Sequence, residues 1–349
     1  MEPTEKEIIE SLYKAMCSAT STVSDAKRTN NSYFKRRVLG FKAEIEFSKF
    51  IEGYKDIHFF EGGNFISRKL SGKVSDKNKF IYVTLAKNES EDFKEIYSVI
   101  SQWDEVENLF YIKIDNNSWS QTGFATRKKL RNGKSKDIED SILVPKYTFY
   151  RFNKNIGSFD MCEIQNFDCI LSWFSKPTRK SSLFPLRKKD QFEYFSDYDA
   201  SVLKNIYANR YFLDVILRQA SGRQIIDLDG FLKVNGRYFV VEVKEKDPIR
   251  KKGKKVDDIN NWQFGWDSRR ILWYLYLKVK LNLPVLYNIR EISNQEERTF
   301  VQWDSIFIDD FLKGTSWSNS RSGGGGGDTV LAPHSFFRRL SDVLNELLR

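Results

Sequence analysis

Apolar positions recur along the chain with two different periods. Over residues 4–20 and 31–52 the spacing is helical, and in the second stretch Phe34, Val38, Phe41, Ile45 and Ser48 share a side. The runs NKFIYVTLA (78–86) and LFYIKI (109–114) read as strands, with a helix expected between them. HFFEGGNFIS has strand and turn character. Residues 116–140 are polar and rich in Lys, Asn and Ser, which predicts a long loop or an insertion. Short aromatic strands such as ILVPKYTFYRF follow, and then a basic connector, KPTRKSSLFPLRKKDQ. Beyond it the pattern predicts a helix over 199–219, a hairpin over 224–246 and an aromatic helix over 264–281 that Pro284 ends. VLYNIREI and RTFVQWDSIF read as two further strands, the five glycines at 323–327 as a flexible loop, and 335–348 as a last helix. The connector suggests a boundary near residue 195, with a larger α+β N-terminal region over 1–195 and a second domain over 196–349.

The hairpin carries the chemistry. Asn235-Gly236 is the strongest two-residue turn signal, because both positions tolerate positive φ. With that turn, Leu232 faces Phe239, Asp229 faces Glu242 and Asp227 faces Lys244. Side chains alternate across a strand. One face is therefore apolar, with Ile226, Leu228, Leu232, Val234, Phe239, Val241 and Val243. The other gathers Asp227, Asp229, Glu242 and Lys244 at the end away from the turn. Opposed side chains lie about 5 Å apart, so Asp229 and Glu242 should repel unless a cation relieves them. A hard divalent ion such as Mg²⁺ takes carboxylate oxygens and keeps several waters. One or two such ions activate water and stabilise a phosphate displacement, and a neighbouring lysine can steady the developing charge. The plain alternative is a solvated hairpin face on which Lys244 and Lys246 pair with the acids.

Composition narrows the choice. The 349 residues carry a net charge of +10, which suits a polyanionic partner. Three cysteines, Cys17, Cys162 and Cys169, fit neither a zinc pattern nor a disulfide framework. Two histidines, His58 and His334, argue against His-rich metal chemistry. The acidic, polar start MEPTEKEIIESLYKAM does not read as a signal peptide, and no run of ~18 apolar residues predicts a membrane span. A cytoplasmic, bacterial-type setting is expected.

Asp229, twelve intervening residues and then Glu242-Val243-Lys244, with a hairpin between, resembles the PD-(D/E)xK nuclease superfamily. The resemblance covers roughly residues 200–310. It implies an α/β fold with a restriction-endonuclease-like core, a central mixed sheet flanked by helices, and Mg²⁺-dependent cleavage of DNA, one or two ions, with Mn²⁺ as a substitute. Carried over, Asp229 and Glu242 would be metal ligands and Lys244 the catalytic lysine. Asp227 is the rival for the first aspartate or an extra ligand. No proline precedes either aspartate, which departs from the family pattern. Glu44 resembles the glutamate that many members add from a preceding helix; a surface glutamate is its plain alternative. Gln263 resembles the extra polar residue of some branches.

Lys246, Arg250, Lys251, Lys252, Lys254 and Lys255 follow the triplet closely, and Arg269 and Arg270 open the next helix. This basic run is expected to line a phosphate track on double-stranded DNA. The overall build resembles a type II restriction endonuclease, and a homodimer without nucleotide cofactor follows by analogy. A structure-selective repair or recombination nuclease, and a non-catalytic DNA-binding protein on a decayed nuclease fold, are the alternatives.

Overall fold

The computed structural model describes residues 2–18, 40–68, 79–86, 91–129, 135–174, 182–183, 200–217, 225–250, 262–315, 321–322 and 328–349. The fold is α/β with mixed sheets. None of the described helices is long and apolar enough to cross a membrane.

Two compact units divide the chain. One takes the described parts of 1–38 and 64–225, the other those of 39–63 and 226–349. A single cut near residue 195 therefore does not describe the division. The segment 64–225 is inserted into the second unit, whose first helix and first strand precede the insertion.

In the inserted unit, the strands Asn64–Arg68, Lys79–Ala86, Val106–Lys129, Ser135–Asn153 and Ser158–Met161 lie side by side in that order. Lys79–Ala86 and Val106–Lys129 run parallel, connected through the helix Glu91–Ser101. Residues 116–140, expected to be a loop, belong largely to a long antiparallel hairpin whose pairing continues to Lys129↔Ser135. Its sequence lacks the apolar alternation that marks a packed strand.

The second unit is built from α1 (residues 40–51), β1 (Ile57–Glu61), β2 (Gly230–Val234), β3 (Arg237–Lys246), β4 (Trp262–Asp267), α2 (Ser268–Leu281), β5 (Val285–Ile292), β6 (Phe300–Phe307), α3 (Ile308–Gly314), β7 (Asp328–Pro333), β8 (Arg338–Arg339) and α4 (Leu340–Leu347). The main sheet has the order β1-β2-β3-β5-β6-β8. Only β3 and β5 run parallel; the other neighbours are antiparallel. β4 pairs with β7 in a second, smaller sheet.

The hairpin forms in the expected register, with Val234↔Arg237 and Leu232↔Phe239. Asn235 and Gly236 take φ of 47° and 74°, as the tight primed turn requires. Leu232, Val234, Phe239, Val241 and Val243 share a core with Ala43, Phe47 and Ile51 of α1 and with Leu340, Val343 and Leu344 of α4. Phe47 stands edge-on to Trp303 at 5.4 Å and to Phe59 at 5.3 Å. Elsewhere in the unit, Trp266 stacks on Tyr287 at 4.2 Å and stands edge-on to Phe311.

Two helix starts differ from expectation. The aromatic helix begins at Ser268, not 264: residues 262–267 form β4, and Asp267 caps the helix by accepting from the N–H groups of Arg269 (2.9 Å) and Arg270 (3.3 Å). The last helix begins at Leu340, because His334–Phe336 form a 3₁₀ turn and Arg338–Arg339 pair with β6.

Candidate active site at the open end of the β2–β3 hairpin

Backbone pairing between β2 and β3 stops at Gly230↔Val241. One residue further, Asp229 has left the ladder. Its carboxylate takes over as acceptor: Oδ2 receives the Val243 N–H at 2.8 Å. Asp229 and Glu242 therefore do not stand as a directly opposed backbone pair, as the extrapolated register had it. Asp229 instead closes the end of the ladder with its side chain.

The chain is held in that position from the other side. Gly62 N–H donates to the Asp229 carbonyl at 3.2 Å, and Leu228 N–H donates to the Gly63 carbonyl at 2.9 Å. A Cβ on Gly62 would stand 1.8 Å from the Leu228 oxygen, so only glycine admits this approach.

Lys244 Nζ bridges the two acids, 2.8 Å from Asp229 Oδ2 and 3.0 Å from Glu242 Oε1. Arg270, in the first turn of α2, grips the same pair. Its Nε donates to Glu242 Oε1 at 3.1 Å, a terminal nitrogen donates to Glu242 Oε2, and the same nitrogen lies 3.4 Å from Asp229 Oδ1. Its other terminal nitrogen donates to the Asp227 carbonyl at 2.7 Å. The Tyr274 hydroxyl, one helical turn on, also donates to Glu242 Oε2. The Glu242 side chain is wholly buried.

Burial opposes charge on Glu242, but Arg270 and then Lys244 outweigh it and hold the carboxyl at about 2. Asp229 is pushed the other way, to about 7, first by burial and then by Glu242. Glu44, on α1, is raised well above the usual carboxylate range by burial and then by Asp229 and Asp227, so it belongs to the same electrostatic cluster. Burial works against charge on Lys244, yet Asp229 and Glu242 raise it above the ordinary lysine value. Lys246 falls to about 8 through burial and the neighbouring Lys244.

The expected site residues separate as follows. Asp229, Glu242 and Lys244 meet in direct contact, Glu44 joins them electrostatically, and Asp227 lies exposed beside them. Arg270, expected on a phosphate track, is instead a counter-ion of the acids, because the Asp267 cap starts α2 where residue 270 faces β3. Arg269 is exposed on the same turn and Lys246 is half-buried. Arg250 ends a short strand opposite Trp262, while Lys251, Lys252, Lys254 and Lys255 lie outside the described residues. Gln263 is buried in β4, opposite Pro333. Tyr274 was not singled out from the sequence. Its spacing of four from Arg270 on one helix was the available signal.

Lys244 and Arg270 thus both pair with Asp229 and Glu242, and Glu44 and Asp227 add two further carboxyl groups beside them. Clustered carboxylate oxygens fit a hard divalent ion such as Mg²⁺. Asp229 and Glu242 would hold it, with Glu44 beside them. Both oxygens of Glu242 are engaged by protein donors, so Arg270 has to release them for a cation to take its place.

Compared with known proteins, the chain matches no family model, no curated protein and no solved structure.

Proposed function

We propose that the chain is a Mg²⁺-dependent endodeoxyribonuclease that hydrolyses phosphodiester bonds of double-stranded DNA, of the sequence-specific type II restriction kind. The observation that carries this reading is the convergence of Asp229, Glu242 and Lys244, with Glu44 beside them, at the open end of one hairpin. The mixed sheet, with the Glu242-Val243-Lys244 triplet on an interior strand between flanking helices, supports a restriction-endonuclease-like core. The net charge of +10 supports a polyanionic substrate. A homodimer suits cleavage of both strands at a symmetric site.

When bound, the metal supplies a Lewis acid and an acidified water. The chain's own residues do the rest. Asp229 is fixed by the Val243 N–H and by the Gly62 contact to its carbonyl, so its carboxylate is oriented before any ligand arrives. Lys244 keeps its proton and holds positive charge where the phosphate develops negative charge. Arg270 neutralises Glu242 and would have to withdraw from it for Asp229 and Glu242 to hold a cation.

One observation favours a second reading, a non-catalytic DNA-binding protein: Arg270, Lys244 and Tyr274 already engage both oxygens of Glu242. The experiment is cleavage of plasmid or phage DNA with Mg²⁺, with EDTA, and by Glu242→Ala and Lys244→Met. The expected result is discrete Mg²⁺-dependent fragments from the native chain and a loss of ~10²-fold or more in each variant. DNA binding without cleavage, in Mg²⁺ or Mn²⁺, gives the second reading. A smear or branched-only cutting, lost in both variants, keeps the site but removes sequence specificity.

A further inference from the structure

A second group of ligand-type side chains lies elsewhere in the same unit. Glu291 lies next to the end of β5, Asp304 lies on β6, and His334 opens the 3₁₀ turn after β7. The β5–β6 register pairs Glu291 with Gln302 and Ile289 with Asp304. Glu291, Gln302 and Asp304 therefore project from one face of the sheet. His334 is fixed by aromatic neighbours, with Phe264 at 5.2 Å and Trp262 edge-on at 6.0 Å.

The three side chains converge on one point. His334 Nε2 lies 3.4 Å from Glu291 Oε2 and 4.0 Å from Asp304 Oδ2, and all three atoms fall within 4.8 Å of one another. All three residues are buried. Gln302 donates to Glu291 Oε2 at 3.2 Å and to Asp304 Oδ1 at 2.9 Å, which accounts for one oxygen of each acid. Asp304 Oδ2 is different. It is buried, on a residue only 2% exposed, and accepts from no N–H or O–H donor; burial and the adjoining Glu291 carboxyl raise Asp304 to about 7. Two buried carboxyls this close beside an imidazole need a shared proton or a cation between them.

We propose that Glu291, Asp304 and His334 form a binding site for a borderline divalent cation, Zn²⁺, distinct from the Asp229–Glu242 cluster. Metal–ligand bonds of about 2.0–2.1 Å in a tetrahedron put neighbouring ligand atoms roughly 3.3–3.4 Å apart. The His334–Glu291 separation already has that value, and the His334–Asp304 separation of 4.0 Å exceeds it by roughly 0.6 Å. One imidazole and two carboxylates suit Zn²⁺, whereas Mg²⁺ takes oxygen donors throughout. Three protein ligands leave the fourth position to water. The site has a structural consequence as well. Glu291 is the backbone partner of Lys246 on parallel β3, so the ion would tie β5, β6 and the turn after β7 together beside the strand that carries Glu242 and Lys244. The proposal does not rest on the nuclease reading.

The test loads the chelator-stripped full chain with ZnCl₂ and counts retained metal after dialysis. It compares the native chain with Asp304→Asn, His334→Ala and the double variant Asp229→Asn/Glu242→Gln. The expected result is one Zn²⁺ per chain retained by the native protein and by the double variant. Affinity should fall in Asp304→Asn and His334→Ala by more than the ~10–100-fold that loss of a supporting residue costs. Co²⁺ in the native chain provides a readout that does not depend on variants folding: a strong tetrahedral visible spectrum is expected. Retention abolished only by the double variant, a weak octahedral Co²⁺ spectrum, or no retained zinc would each overturn the proposal.

Discussion

Arg270 holds Glu242 by both of its carboxylate oxygens, Nε to Oε1 at 3.1 Å and a terminal nitrogen to Oε2. This pair sits where the proposed metal would bind, so the two cations compete for one carboxylate. Arg270→Ala should destabilise the metal-free protein by roughly 3 kcal/mol, because it leaves a buried charge with one partner fewer. Mg²⁺ should restore about 2.7 kcal/mol of that at ~100 times its dissociation constant. Thermal unfolding with and without Mg²⁺ checks this. Equal metal-induced shifts in native and variant chains would mean that Arg270 and the cation do not compete.

Glu44 is a half-buried carboxyl raised by burial and by Asp229, so folding favours its protonated form. The native chain therefore loses stability as pH rises from the unfolded carboxyl value through the raised folded one. Glu44→Gln should be more stable than the native chain at pH 8. The difference should vanish below about pH 4. Denaturant unfolding across that range is the measurement, and a constant difference would separate Glu44 from the acid cluster.

Gly62 admits the close approach that fixes the Asp229 carbonyl. Gly62→Ala should cost about 1–3 kcal/mol, since its Cβ meets backbone and not a yielding side chain. DNA cleavage should fall with it, because the Asp229 carboxylate moves with its backbone. Gly123→Ala, with nothing within 4 Å of its added carbon, should stay within about 0.5 kcal/mol of native and serves as the control.

Lys246 is lowered to about 8 by burial and by Lys244. A depressed lysine contributes stability above its unfolded value of about 10.4 and loses it as pH falls through the folded one. Lys246→Met should therefore be stabilising at pH 7 by on the order of 1 kcal/mol, discounted for partial exposure, and nearly neutral at pH 10.5. Chemical denaturation at the two pH values decides it; a larger gain at the higher pH would reverse the sign.

The hairpin was legible in the sequence because one local signal, Asn235-Gly236, sets its register and the apolar alternation sets its buried face. Where locality ends, legibility ends too. Extrapolated pairing put Asp229 opposite Glu242, but the strands part at Gly230 and the Asp229 side chain accepts the Val243 N–H. The start of α2 was misplaced because WQFGWD carries aromatics that serve a strand as well as a helix; Asp267 is the cap that marks the real start. That shift turns Arg270 from an expected phosphate contact into a partner of Glu242. The kinship of α1 and β1 with the second unit rests on pairings such as Phe59↔Leu232, which no window of neighbouring residues reveals.

Gly63 and Leu228, hydrogen-bonded to each other, mark where the chain departs from the second unit and where it comes back. Departure and return share one doorway. Everything between them, residues 64–225, is in topological terms a parenthesis. The first unit also takes the helix Glu5–Ser18 from the start of the chain, so the parenthesis does not make up that unit alone. The acid cluster stands immediately beside this point, through Gly62 and Asp229, so the chemistry is built where the chain leaves and re-enters the second unit.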